Sequence, residues 1–476
     1  MERLGVPTVF ILADIFEKNG RSGAEDNLVP TQRQVILQGY FAGISLEQSK
    51  SIATSHFDKM IAALTQPLTS EEKSPKPSGM RDLFHRPVTV SGATEAEALE
   101  QLQTVFNDNR WSDGLAILPP TREAVDLMLT GTSRDPKEVL GKLKPKSGIV
   151  TIEKIAINAV MAGASPRHLP VIIAALEALV APEFDALHPA ASMGGFELAI
   201  WVSGPMGAEL GLNAADRLWT YGNRANNAIG RAIMLSRINL GHMWPGVNDM
   251  ALTRAVPFTN YTFAENYESP NPWQPYHTAY GGHDPNDSYV TVSTVSPQGT
   301  TTIRPDRGKD IVDTIIERVQ GLRPAMFSGY RPGVANVPQI FSKFVYMITP
   351  EAAADLAAQG YTQESLRQHI FDAASVPFED LSPEEIEKIK TRLQMSRDNL
   401  GLITDHVRPD YYSIWEAGLK PGGKVPLLSA PEDIHFVVAG TGMKSATSWY
   451  YWRSIYTWSS HGSVKIHGAT LTQAGR

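Results

Sequence analysis

Residues 263–292, FAENYESPNPWQPYHTAYGGHDPNDSYVTV, hold the densest set of reactive side chains in the sequence: Glu265, Asn266, Glu268, Trp273, His277, His283, Asp284 and Asp287. Carboxylates set close to an imidazole in a partly dry loop push one another's pKa values apart, which suits one group to take a proton and another to give it. Glu265 or Glu268 is therefore the candidate general base, His277 the acid or orienting partner, Asp113 a supporting carboxylate and Trp273 a wall for the substrate. Asn158, Arg224, Asn226, Lys444 and Ser445 are candidates to hold a small polar or anionic molecule. A variant of the same site uses Glu265, Glu268, His277 and His283 as oxygen and nitrogen ligands for a divalent ion, at a spacing that matches no stereotyped metal motif. The competing account is a surface loop whose charges are merely solvated.

The elements that must position these groups follow from local pattern. Pro270, Pro272, Pro275 and Pro285 deny the stretch a helix and interrupt any ladder, so a long loop pinned in one shape is predicted. Asp113 precedes a strand predicted at 115–118, where Asp-Gly also fits a simple turn. Asn158 and Glu153 lie on an apolar helix predicted over 152–162, and a polar group buried there needs either a ligand or a structural hydrogen bond. Arg224 and Asn226 open a helix running to 238, whose dipole favours an anion, although capping accounts for the same residues. The run 434–438 is a buried strand that leads into AGTGMKS, where Lys444 and Ser445 follow a glycine turn. That turn has the residue types of a phosphate cradle but not the G-x-x-x-x-G-K-S spacing.

The pattern as a whole predicts an α/β fold with mixed or mostly parallel sheets flanked by helices, in two to three subdomains. Residues 1–66 form an N-terminal α/β segment opened by a buried parallel strand at 6–12, and 67–86 a Pro-rich linker. A central α/β domain spans 87–300 and carries the 263–292 loop; a C-terminal α/β domain spans 301–476. Further strands are predicted at 88–90, 196–202, 289–295 and 344–348. Three tryptophans and three tyrosines between Trp449 and Trp458 suit a core or a subunit interface, which points to a homo-oligomer.

Composition narrows the partners. A net charge of −7 over 476 residues, with no basic stripe, argues against nucleic acid and anionic membrane surfaces. No apolar run approaches the roughly 18 residues of a membrane span, and no secretory leader is evident, so a cytoplasmic protein is predicted. There is no cysteine, which removes disulfides, thiolate ligands, iron–sulfur clusters and cysteine nucleophiles from this sequence.

Several segments, in order and over nearly the whole length, resemble the UGSC-motif (seleno)protein family. They are WSDGLAILPPT at 111–121, EKIAINAVMAGASPRHLPVIIAALEAL at 153–179, AENYESPNPWQPYH at 264–277, ITPEAAADLAAQGYTQESLRQHIFDAASVP at 348–377 and IHFVVAGTGMKS at 434–445. The resemblance implies a selenocysteine or cysteine in a U/C-G-S-C motif just ahead of the segment matching ERLGVPTVF at 2–10. This sequence starts at Met1, downstream of that motif, and has Ala164 where the family's M-A-G-C-x-P segment carries cysteine. The implied protein is a small-molecule enzyme of reductive, lyase or hydrolase type. The alternatives are a non-catalytic subunit of a Cys/Sec-containing redox partner and a binder of small anions.

Overall fold

The computed structural model describes residues 4–26, 29–39, 46–75, 87–191, 195–249, 251, 259–267, 271–303, 308–321, 323, 343–398, 411–428, 430–441, 447–454 and 461–467. It is a mixed α/β fold. Three small ladders lie at its margins: parallel β1 (Val9–Ala13) with β2 (Arg33–Leu37), a hairpin of β3 (Val139–Leu143) with β4 (Gly148–Thr151), and β9 (Val376–Pro377) with β10 (Lys424–Val425). The main sheet has seven strands: β5 (Glu197–Ser203), β6 (Tyr261–Ala264), β7 (Tyr289–Ile303), β8 (Phe344–Ile348), β11 (Ile434–Val438), β12 (Thr447–Ser454) and β13 (His461–Lys465). Their order is β11-β8-β12-β7-β5-β6, with β13 following β12 along the same flank of β7. The pairs β5/β6 and β8/β11 are parallel; the pairs that join them through β7 and β12 are antiparallel.

Alternation along the strands sorts the side chains to two faces. Leu198, Ile200 and Val202 of β5 and Val290 and Val292 of β7 pack against the helices Ile152–Met161, Leu169–Val180 and Arg224–Asn239. Phe344, Tyr346 and Ile348 of β8 and Ile434, Phe436 and Val438 of β11 pack against the helices Gly308–Gln320, Pro350–Ala358 and Gln363–Ala374. On the other face Ala199, Trp201, Tyr261, Phe263, Val295, Val345, Met347 and Val437 share a single core. Full burial of each large apolar chain there contributes about 1.5–3 kcal/mol.

That shared core requires a curled sheet. Laid flat, β6 and β11 would stand about 24 Å apart at about 4.8 Å per strand. Instead, the chain leaving β6 meets the end of β11: Asn266 N donates to Val438 O at 2.8 Å and Asn266 Nδ2 to Gly440 O at 2.9 Å. The outer edge of β11 is capped by Tyr280, whose hydroxyl accepts from Phe436 N at 2.6 Å. The sheet is thus a nearly closed trough with helices outside and aromatic rings inside.

Several expectations are corrected. Pro275 does not prevent a helix; it occupies the N-cap of Tyr276–Gly281, where proline's fixed φ and missing N–H do no harm. Residues 88–90 join no ladder. Residues 115–118 join none either, because the Gln103 side chain bonds both N and O of Ile117 in place of a neighbouring strand. β1 is not buried on both faces: its one partner is β2, and Ile11 is 49% exposed. The first part of the predicted linker is the capped turn Ser70–Lys73, tied to β2 through Glu72 and Arg33, while 76–86 lie outside the described residues. The boundary at 300 falls within β7, which pairs with β5 before it and with β12 across it. The side chains of the aromatic segment 449–458 lie outside the described residues.

Candidate functional site

The C-terminal ends of β5, β6 and β11 converge where the trough closes, the position at which parallel strands ordinarily present a site. Glu265 directly follows β6 and is 2% exposed. Its carboxyl group accepts Tyr276 N–H at 3.0 and 3.1 Å and the Tyr267 hydroxyl at 2.6 Å. Gly204 N–H in turn donates to the Tyr267 oxygen at 2.8 Å, which leaves the Tyr267 proton for Glu265. No basic side chain pairs with this carboxyl group among the described residues. Burial therefore dominates and pushes its pKa up to about 7, against the opposing effect of the Tyr267 and Tyr276 donors.

His277, beside Tyr276 on the same short helix, is also buried. Its Nε2 lies 3.0 Å from the Asp284 carbonyl oxygen and its Nδ1 3.0 Å from Ser203 Oγ at the end of β5. A carbonyl accepts only, so the ring proton sits on Nε2 and Nδ1 accepts from the serine hydroxyl. Burial lowers the His277 pKa, partly offset by the Asp284 carbonyl. Ser203 precedes Gly204 at φ +99°, where a Cβ would stand 2.2 Å from Asp287 O, so only glycine lets the chain turn there.

No protein-family model, curated protein or solved structure matches this chain.

A second polar group lies inside the trough. The Tyr276 hydroxyl is 2.5 Å from His435 Nδ1 and 3.0 Å from His461 Nε2. Lys343 Nζ is 3.2 Å from His435 Nε2 and 3.6 Å from Asp433 Oδ1. Tyr280 stacks on His435 at 4.4 Å, with the Arg367 guanidinium 5.1 Å above the Tyr280 ring. Burial, then Lys343, holds both histidines well below the usual imidazole range, and burial raises the Tyr276 hydroxyl.

Of the residues singled out in the sequence, the structure brings Glu265 and His277 together through Tyr276 and the Ser203–Gly204 turn. Trp273 is buried against Phe436 in the core outside the trough, 5.8 Å ring to ring. Asp113 is paired with Arg231 through two bonds of 2.8 and 2.9 Å, and its side chain is 3% exposed. Asn158 bonds Asn239 and the Lys154 carbonyl. Asn226 bonds Asn213 and the Thr262 carbonyl, tying its helix to β6, and Arg224 is exposed. Asp113, Asn158 and Asn226 thus serve the helical layer, which packs on the face of β5 opposite to Trp201. Glu268, Lys444 and Ser445 lie outside the described residues. Among the described residues no three His, Asp or Glu side chains group as metal ligands, and His283 instead stacks on Tyr289 at 4.1 Å. Among the described residues no helix is long and apolar enough to cross a membrane.

Tyr267, Tyr276, Ser203, Lys343, His435 and His461 were not among the expected residues. His435 sits in the apolar run IHFVV, and a lone histidine in such a run is the one available signal.

Proposed function

We propose that this chain is a small-molecule enzyme that moves protons at the closing edge of the trough, with Glu265 as the exchanging group and His277 as its neighbour. The observation that supports this is a carboxyl group sealed from water, bound by neutral donors alone and poised near neutrality. Buried structural carboxylates are ordinarily held by a cation, which drives their pKa down. One held without a cation is suited to take up and release a proton at physiological pH. Tyr267 is the neighbour that shares this proton, since its hydroxyl donates to Glu265.

The substrate is a small polar or anionic molecule, in keeping with a site lined by N–H and O–H donors. Kinship to UGSC-motif proteins belongs to the same proposal and rests on the sequence segments at 111–121, 153–179, 264–277, 348–377 and 434–445. This chain then contributes the proton-handling half of the chemistry without a chalcogen.

A cell extract of small metabolites incubated with the protein and followed by mass spectrometry tests the assignment. The wild-type chain is expected to consume a component that Glu265→Gln leaves intact. Full turnover by Glu265→Gln removes Glu265 from this role.

A further inference from the structure

The two outermost strands of the main sheet are each met by a side chain. Asn226 Nδ2 donates to Thr262 O of β6, and the Tyr280 hydroxyl accepts from Phe436 N of β11. The N-terminal ladder has no such cover on β1. Among the described residues β1 has one partner, β2, and its sequence VFILA holds no charge, proline or bulge to turn another strand away. A parallel ladder of two strands is also less than such sheets ordinarily need, since parallel strands are found buried on both faces.

Each face of that ladder carries one helix. Glu17–Asp26 covers the side of Leu12, where a Cβ on Gly20 would strike the Leu12 side chain. Leu46–Thr65 covers the other side: Arg33, which projects with Val35 and Leu37, reaches its Ala62 and Ala63 carbonyls. Val35 is the ladder neighbour of Ile11, so Ile11 lies on this second side too, and it is 49% exposed. On the helix, Ile52, His56, Met60 and Ala63 form the half-buried face toward the strands. Phe57, Ile61 and Leu64 lie about 100° round from them and are 57%, 43% and 36% exposed. With the right-handed crossover that joins parallel strands, this apolar stripe overhangs the open edge of β1 and not β2.

We propose that the chain pairs with a second copy of itself through the open edge of β1, antiparallel about a twofold axis near Ile11, to make one four-stranded sheet β2-β1-β1-β2. A twofold perpendicular to the sheet keeps each face on its own side. The two Phe57 stripes therefore meet over the joined strands, and the two Ile11 side chains meet beneath them. The surface itself selects this occupant, because an uncharged strand edge and an apolar stripe beside it are complementary to their own twofold images. With Leu4, Val6 and Ile15 at the ends of β1, Ile11 and the stripe expose on the order of 700 Å², near the roughly 800 Å² that each partner buries in a stable interface. The pairing does not depend on the role of Glu265.

The chain has no cysteine, so a single introduced thiol reports its own surroundings. Ile11→Cys is expected to link two full-length chains under mild oxidation; Val139→Cys, a comparably exposed position on β3, is expected to leave them separate. Light scattering of the wild-type chain is expected to give twice its 52.1 kDa mass. Phe57→Glu changes an exposed helical position and is expected to keep the circular dichroism of the wild type while weakening the dimer about a hundredfold, because each dimer carries the change twice. A wild-type chain that is monomeric at about 100 μM, where even a weak pair forms, overturns the proposal, as does one found only with a different polypeptide. A dimer that survives Phe57→Glu and leaves Ile11→Cys unlinked has its interface elsewhere and overturns it as well.

Discussion

The Tyr267 hydroxyl stands 2.6 Å from Glu265 Oε2, joining a residue that is 39% exposed to one that is 2% exposed. A short bond from a neutral donor stabilises the ionised carboxylate, yet burial still outweighs it and leaves the group near neutrality.

Removal of that donor therefore has a definite sign. Tyr267→Phe is expected to raise the proton affinity of Glu265 about tenfold, since a hydrogen bond to a charged group is worth about 1.5–3 kcal/mol before relaxation. Carbon NMR titration of 13C-glutamate protein reads this directly. A Glu265 titration unchanged in Tyr267→Phe would show that the hydroxyl does not set the acidity.

Glu265 also shapes the dependence of stability on pH. Its ordinary value is 4.5 and its folded value about 7, so the unfolded chain releases this proton first. Burial of Glu265 carries no ionisation penalty below about pH 4.5; the penalty grows as pH rises and is complete above about 7, at about 3 kcal/mol. Glu265→Gln is expected to escape that slope. Its unfolding free energy, compared with wild type by urea titration, should gain about 3 kcal/mol between pH 4.5 and 8. Parallel stability curves for the two proteins would contradict the assignment.

Much of the scaffold was legible because its signals are local. The apolar runs at 344–348 and 434–438 became β8 and β11 with the same limits, and Thr121, Thr349 and Thr362 each cap the helix that follows with a side-chain oxygen, a signal confined to three residues. Glu265 and His277 stood out because charged residues beside prolines are conspicuous. What stayed hidden depends on distant pairing. Curling of the sheet rests on Asn266 meeting Gly440, 174 residues later, and nothing near either residue announces it. His461 counts as chemistry only once β13 lies against β7 and turns its ring inward beside Tyr276. Asn158 and Asn226 illustrate the converse, since helical periodicity shows that a face is buried but not on which side of a sheet it lies.

Gly230 offers a case in which helix propensity and packing disagree. It lies inside the helix Arg224–Asn239, where alanine should help by about 1 kcal/mol. A Cβ there would come 1.7 Å from Thr259 O and 2.5 Å from Thr262 Oγ1, at the start of β6. Gly230→Ala is expected to lower stability by about 2–4 kcal/mol, because the backbone oxygen cannot step aside without moving the strand that leads to Glu265. Thermal unfolding measures it; a stabilised variant would mean that the helix and β6 sit farther apart.

Asp113 separates structure from chemistry. Asp113→Ala strands Arg231, which is largely buried beside the Leu115 and Ala116 carbonyls, and is expected to cost about 2–4 kcal/mol. The Glu265 titration should be unaffected, because the sheet lies between them. A displaced Glu265 titration in Asp113→Ala would place the two carboxylates in one electrostatic unit.

The late arrival of β12 and β13 bears on how the chain is made. Among the described residues, one whole flank of β7, and the side of β8 away from β11, are occupied only by β12 and β13. During synthesis both strands leave the ribosome long before their neighbours and carry rows of open amide and carbonyl groups. A nascent chain halted before residue 447 thus offers two sticky ribbons to any similar chain nearby, and protection of those ribbons until translation is finished becomes a requirement for yield.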